Sequence, residues 1–379
     1  MFGCPACRVG CRLALLALAF AAGQSPIAAP AAVQEAAESS ALLAAIEAGD
    51  VVKARDLLDH LEAGPAVSAE QWERLGMAFY QRQAYRPAWR CFRNWSLRDP
   101  GSGRAKAWQG FAERRLGLLE RALIHLQQAR NLGFGSDAAL DRQARLEVGL
   151  MLNRVGQFES ALQTLRRFAE EDEVPEAVIL GLGLAVLQMP YFPEEVPPAS
   201  LPVVRMAGNA TWAAITFDLR FADELFQSLI RKHSDHPGVH YAYGMFLMRD
   251  RKEQGLAEFR RELEVNPWHV PSLLQLAFEA IQRSQFDEAL DYARKAAALD
   301  PESFSVQYAL GWALLELGRL SEAVTALEHA KALDPGVPEV RYTLARAYQR
   351  AGRLEEAKQE RAAFQKLSSF KKEVQERVY

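Results

Sequence analysis

Residues 301–337, PESFSVQYALGWALLELGRLSEAVTALEHAKALDPGV, contain two runs of apolar residues at helical spacing. Gly318 separates the two runs and supplies a turn, and Pro335 ends the second run because proline cannot continue a helix. Small residues stand at Gly311 and Ala323, where two antiparallel helices must cross closely. The stretch therefore predicts a pair of amphipathic helices that cannot bury its apolar face alone.

The same pattern recurs along the chain at an interval of about 34 residues. Pro267, Pro301 and Pro335 end three successive units. The unit at 69–102 carries nearly the whole pattern: Trp72, Leu75, Gly76, Phe79, Tyr85, Ala88, Phe92, Trp95 and Pro100. This pattern resembles that of the tetratricopeptide repeat (TPR) family. The resemblance implies an all-α fold, an α-solenoid of about nine to ten helical hairpins that form a right-handed superhelix.

The first 22 residues contain basic, apolar and small residues in the order that is typical of an export signal. Arg8 and Arg12 precede an apolar run from Leu13 to Ala22, and small and helix-breaking residues follow. The run is shorter than the roughly 18 apolar residues that span a bilayer. We therefore predict a signal peptide over residues 1–22, no membrane span in the mature chain, and a periplasmic or secreted protein. The sequence leaves open whether the segment is cleaved or kept as an anchor.

Changes in composition divide the rest of the chain. Five prolines between Pro190 and Pro202 cannot all lie inside a helix. This interruption is either a binding loop or a degenerate repeat. The predicted segments are an Ala/Pro-rich linker at 23–35, an N-terminal TPR array at 36–189, the Pro-rich interruption at 190–202, a C-terminal TPR array at 203–370 and a polar end cap at 371–379.

The distribution of charge narrows the classes of partner that the protein could bind. The net charge of -3 does not favour nucleic acid as a partner, although residues 69–135 hold twelve basic and only five acidic side chains.

The cysteines are concentrated at the N-terminus. Cys4, Cys7 and Cys11 lie in the predicted signal peptide, so the mature chain holds only Cys91. An internal disulfide is therefore not expected, although an exported protein could have used one.

The TPR resemblance implies that the fifth and ninth residues of each unit face a ligand groove. In the C-terminal array these are Tyr241, Met245, Leu274, Phe278, Tyr308, Trp312, Tyr342 and Arg346. Aromatic and apolar side chains predominate, which predicts a groove for an extended or helical peptide. None of the eight is Asn or Lys, with which some family members clamp a C-terminal carboxylate. We therefore do not expect that mode of binding.

Three histidines suggest the main alternative to a binding scaffold, which is a metal-dependent protein. His233, His236 and His240 have spacings that a metal ion could use, but they span a loop and a helix start, where polar residues are routine. The sequence contains no nucleophile elbow, phosphate loop or zinc-protease pattern.

We therefore predict an exported, non-catalytic scaffold or adaptor that binds a protein or peptide partner in its concave groove, without metal or cofactor. One alternative is an envelope assembly or biogenesis factor. Another is an enzyme or metal-dependent protein with its site near the interruption or the three histidines.

Overall fold

Residues 31–63, 67–171 and 174–378 are described by a computed structural model, with side chains from residue 37 to residue 369 within these ranges. The predicted signal peptide and residues 23–30 of the predicted linker lie outside the described residues. Every regular element in the described ranges is a helix, which confirms the predicted all-α fold. The chain forms two units, Met1–Leu118 and Leu119–Tyr379, called unit 1 and unit 2 below.

The described part of unit 1 contains two helix pairs and a fifth helix. They are α1 (Ala31–Ala48), α2 (Val51–Ala63), α3 (Ala69–Gln81), α4 (Tyr85–Arg98) and α5 (Gly103–Arg115). Helix α1 packs on α2, and α3 packs on α4. The first helix begins at Ala31, inside the linker predicted over residues 23–35, because the alanines and glutamates after Pro30 favour a helix.

Aromatic rings join the last three helices of unit 1. The ring centroid of Trp108 on α5 lies 5.4 Å from that of Tyr80 on α3 and 5.7 Å from that of Phe92 on α4. Cys91 beside this cluster is fully buried and unpaired. Burial raises the pKa of its thiol well above the ordinary value, because the charged thiolate is disfavoured away from water.

Unit 2 begins with α6 (Leu119–Leu132) and continues mainly as helix pairs. Its remaining helices are α7 (Ala138–Arg154), α8 (Phe158–Leu165), α9 (Glu176–Val186), α10 (Leu201–Ile215), α11 (Leu219–His233), α12 (Val239–Leu247), α13 (Lys252–Val265), α14 (Val270–Gln282), α15 (Phe286–Leu299), α16 (Phe304–Glu316), α17 (Leu320–Leu333), α18 (Pro338–Arg350) and α19 (Leu354–Val378). Helix α7 pairs with α8, and the helices from α10 to α19 pair consecutively. The last helix runs through residues 371–378, so the predicted end cap continues it.

The pair α16 and α17 shows why small residues recur in each unit. A Cβ atom at Gly311 would lie 2.6 Å from Cγ of Leu327, so only glycine fits at this crossing. Ala323 and Ala330 on α17 are fully buried. Gly318 turns the chain between the helices with a φ of 76°, which favours glycine. The helix pair predicted from residues 301–337 is therefore confirmed.

Replacing Ala323 with leucine is expected to lower the free energy of unfolding by roughly 1 to 3 kcal/mol, because the added atoms overpack the crossing. Ala332 on the same helix is exposed, so Ala332→Leu is the matched control and should leave stability nearly unchanged. Chemical denaturation followed by circular dichroism measures both variants. Equal midpoints for the two would contradict the burial of Ala323.

The Pro-rich interruption removes one helix from the regular order. Between α9 and α10 the chain forms only a short 3-10 turn, Pro193–Glu195, and α9 packs directly on α10. Phe192 and Val196 in this connection are each only 9% exposed. Val196 packs with the core that α9 and α10 share. The connection therefore lies against the helices, and α10 packs on α9 without an intervening α-helix.

Glycines bring the backbones of α9 and α10 into contact. A Cβ atom at Gly183 would lie 1.9 Å from the carbonyl oxygen of Val204, and one at Gly208 would lie 2.0 Å from that of Ile179. Both obstacles are backbone atoms, which cannot rotate away as a side-chain end can. The two helices can therefore cross at this separation only if neither position carries a side chain.

Candidate functional site

The predicted groove residues on α14, α16 and α18 are Leu274, Phe278, Tyr308, Trp312, Tyr342 and Arg346, called the first-helix track below. The ring centroid of Tyr308 lies 6.1 Å from that of Phe278 and 5.6 Å from that of Trp312. All three side chains are partly buried against the core that helices α14 to α18 share. Side-chain contacts thus connect successive first helices along the track.

Phe304 extends this row of aromatic rings at the start of α16. Its ring stacks on that of Tyr308 with a centroid distance of 6.0 Å and an angle of 11° between the planes. Phe304, Tyr308 and Trp312 are spaced by four residues and so share one helix face. Phe304 was not predicted as a groove residue from the sequence, although its spacing of four residues from Tyr308 is a signal that could have revealed it.

Polar atoms of the track are paired within the protein. Glu316 accepts hydrogen bonds at one carboxylate oxygen from Nε1 of Trp312, at 3.1 Å, and from Nη2 of Arg346, at 2.8 Å. The hydroxyl oxygens of Tyr308 and Thr343 are 3.3 Å apart. Burial raises the pKa of Tyr308, so its phenol stays neutral. These contacts fix the rings and leave mainly their apolar surfaces available.

The remaining predicted groove residues occupy different surroundings. Tyr241 is only 8% exposed, with its ring centroid 4.8 Å from that of His269 and 5.7 Å from that of Phe259. Met245 is 41% exposed on α12. Tyr342 is half exposed and its ring centroid lies 5.5 Å from that of Phe364. Tyr241 therefore contributes to the interior, whereas Met245 and Tyr342 contribute surface.

The structure does not bring the three histidines together. His240 is buried with its Nδ1 2.6 Å from Oε2 of Glu258, whereas Nδ1 of His236 lies 2.8 Å from the carbonyl oxygen of Pro237. Within the described ranges, no three His, Cys, Asp or Glu side chains are grouped as a metal site would require. His240 instead forms a buried contact between α12 and α13.

The helix pairs repeat at an interval of about 34 residues, which defines a TPR-like helical-repeat protein. This architecture serves as a protein-binding scaffold. Residues 206–368 match the family model of the cilia and flagella-associated protein 70 middle TPR-like domain. No curated protein matches the sequence. Among the described helices, none combines the length and the apolar composition that crossing a membrane requires.

Solved structures of MamA are similar to part of this chain. MamA 41-end from Desulfovibrio magneticus RS-1 has a TM-score of 0.40 and 17% identity, with 44% of this chain and 95% of that chain covered. MamA AMB-1 has a TM-score of 0.38 and 24% identity, with 43% of this chain and 98% of that chain covered.

Proposed function

We propose that the protein is a non-catalytic scaffold or adaptor that binds a protein or peptide partner along the first-helix track. The observation that carries this proposal is the connected row of aromatic rings across α14 and α16, continued by Arg346 on α18. Rigid aromatic side chains are common anchors in protein interfaces because they offer a large contact area at a small entropic cost.

The pairing of polar atoms defines the chemistry of the ligand. The indole nitrogen of Trp312 and the guanidinium of Arg346 both donate to Glu316, so the charge on Arg346 is neutralised locally. A partner consequently gains little from placing a carboxylate here. The track instead favours a peptide that packs apolar side chains against the rings of Phe278, Tyr308 and Trp312.

The proposal includes export, with the protein acting in the periplasm or outside the cell. Its support is the order of charged, apolar and small residues in residues 1–22, which is that of a signal peptide. An adaptor in that compartment could serve as an assembly or biogenesis factor for envelope complexes. The identity of the partner decides between these roles.

The test is affinity capture with the chain of residues 23–379, which retains all of α1, from an envelope extract of the source organism. We expect Tyr308→Ala combined with Trp312→Ala to lose the captured partner, because truncating an aromatic anchor costs about 2 kcal/mol or more of binding free energy. Trp268, which is 71% exposed before α14 and outside the track, provides the control variant Trp268→Ala.

Circular dichroism must first show that the double variant keeps its helical content and melts cooperatively. A partner retained by the folded double variant would contradict binding at the first-helix track. A partner lost equally from Trp268→Ala would also contradict it. Failure of the unaltered chain to capture any protein would count against the scaffold function itself.

A further inference from the structure

The rings of Phe304, Tyr308 and Trp312 form an apolar surface on one face of α16, called the ring row below. Its two ends are eight positions apart, so the row is about 12 Å long at the helical rise of 1.5 Å per residue. Phe278 of α14 widens this surface, with its ring centroid 6.1 Å from that of Tyr308. All of these rings are only partly buried, so a ligand can contact them.

Among the described side chains of the ring row, no hydrogen-bond donor remains free for a ligand. Nε1 of Trp312 is the only donor of its side chain, and it donates to Glu316 at 3.1 Å. The hydroxyl of Thr343 donates to the carbonyl oxygen of Glu339 at 2.9 Å. Because a hydroxyl has a single hydrogen, the 3.3 Å contact between Tyr308 and Thr343 uses the hydrogen of Tyr308. The third ring of the row belongs to phenylalanine and has no polar atom.

The lack of free donors bears on the conformation of a bound peptide. An extended peptide has one unpaired carbonyl oxygen per residue, and the carbonyls that face the rings lose their contact with water. Such an oxygen finds no donor on the ring row, and a buried acceptor without a partner is unfavourable. In an α-helix the carbonyl oxygens pair within the helix except at its end, so only side chains meet the rings.

The charges beside the ring row are balanced within the protein. The carboxylate of Glu316 is 2.8 Å from Nη2 of Arg346 and 3.8 Å from Nη1 of Arg350. A ligand side chain of either sign would therefore compete with an ion pair that already exists. The face of the ligand that meets the rings is consequently expected to be uncharged.

We propose that the ligand of the first-helix track is an amphipathic α-helix of a partner protein, which places an uncharged apolar face along the ring row. This inference rests on the proposed function, because it assigns a conformation to the ligand of the same surface. A length of about 12 Å corresponds to roughly two turns of the ligand helix. Apolar residues at positions i, i+4 and i+8, or at i, i+3 and i+7, would therefore meet the successive rings.

The test is a selection of displayed peptides, about 15 residues long and fully randomised, on the full chain. Peptides that bind the unaltered chain, but not the folded variant with Tyr308→Ala and Trp312→Ala, define the ligands of the ring row. We expect them to carry apolar residues at helical spacing. Proline at a central position that is not an apolar anchor should weaken their binding at least about tenfold, because it breaks a helix. Proline at the first helical position is the matched control and should be tolerated.

A substitution of Glu316 provides the second arm, because it frees donors without removing a ring. In Glu316→Ala the indole N–H of Trp312 and the guanidinium of Arg346 lose their shared acceptor. Both groups can then donate to the carbonyl oxygens of an extended ligand. We expect this variant to enrich, in addition, peptides that tolerate a central proline. Glu322→Ala removes an arginine-paired carboxylate on α17 and should leave the selection unchanged.

The outcomes separate this inference from the proposed function. Peptides that depend on Tyr308 and Trp312 but tolerate a central proline on the unaltered chain would overturn the helical ligand and leave the proposed function in place. The same peptides enriched by Glu316→Ala as by the unaltered chain would also overturn it, because free donors would then not decide the conformation. If no enriched peptide depended on the two rings, the proposed function would fail and this inference with it.

Discussion

Replacing Gly183 with alanine is expected to lower the free energy of unfolding of unit 2 by about 3 kcal/mol. The new Cβ atom would overlap the carbonyl oxygen of Val204, and the two helices would have to separate. Overpacking of this kind usually costs 1 to about 3 kcal/mol and sometimes more, and here the obstacle is backbone. Gly208→Ala should behave alike, because its Cβ atom meets the carbonyl oxygen of Ile179.

The measurement is denaturant unfolding combined with hydrogen exchange along α9 and α10. Gly336 is the control in the same unit, since a Cβ atom there would meet only the carboxylate of Asp334, which can move. We expect Gly336→Ala to change stability by less than about 0.5 kcal/mol. Protection of α9 and α10 in Gly183→Ala equal to that in Gly336→Ala would contradict the close crossing.

Acidification from pH 7 to pH 4 is expected to cost unit 2 about 3 kcal/mol through His269 alone. Burial lowers the pKa of this imidazole to about 4 from its ordinary 6.5, so the folded protein keeps it neutral. The stability from this group is complete above pH 6.5 and is lost as the pH falls toward 4, because the unfolded chain then binds a proton that the folded chain does not.

Local geometry explains the preference for neutral imidazole. His269 caps α14, and its Nδ1 accepts a hydrogen bond from the backbone N–H of Ser272 at 3.3 Å. Protonation of Nδ1 would remove that acceptor and place a positive charge at a helix N-terminus. The ring of Tyr241 covers one side, and burial raises the pKa of its phenol to about 12, so it offers no compensating negative charge.

The matched variant is His269→Asn, because asparagine can also cap a helix but does not titrate. Stability curves measured at several pH values should separate by about 3 kcal/mol between pH 7 and pH 4, with the wild type losing more. Burial raises the pKa of Glu262, so acidification favours the folded state through this group, opposite to the effect of His269. Glu262 is present in both proteins, so its contribution cancels when their stability curves are compared. Parallel curves for the two proteins would contradict a neutral His269.

The sequence was sufficient to predict most of the helix pairs, because their determinants are local and repeat. Gly311 and Ala323 mark the crossing of α16 and α17, and Gly318 marks their turn. The contact between α9 and α10 could not be predicted in this way. It joins Gly183 to Val204 across the Pro-rich connection, where no period fixes the spacing between the two helices.

Parts of the candidate site followed from the sequence for the same reason. The fifth and ninth residues of a unit identified Tyr308 and Trp312, and the structure connects them by ring contact. The same rule did not indicate that Tyr241 is buried, because that depends on the rings of His269 and Phe259 from other helices. The rule also did not identify Glu316, because this carboxylate accepts hydrogen bonds from donors on two different helices.

The burial of Cys91 has a practical consequence. Apart from the three cysteines in the predicted signal peptide, the sequence has no other thiol, so a signal-less chain carries a single site for covalent labelling. Because the thiol is inaccessible and protonated while α4 is packed, a thiol reagent reacts with it only when this part of the chain opens. The labelling rate of the native protein thus measures how often unit 1 opens, independently of signals from unit 2.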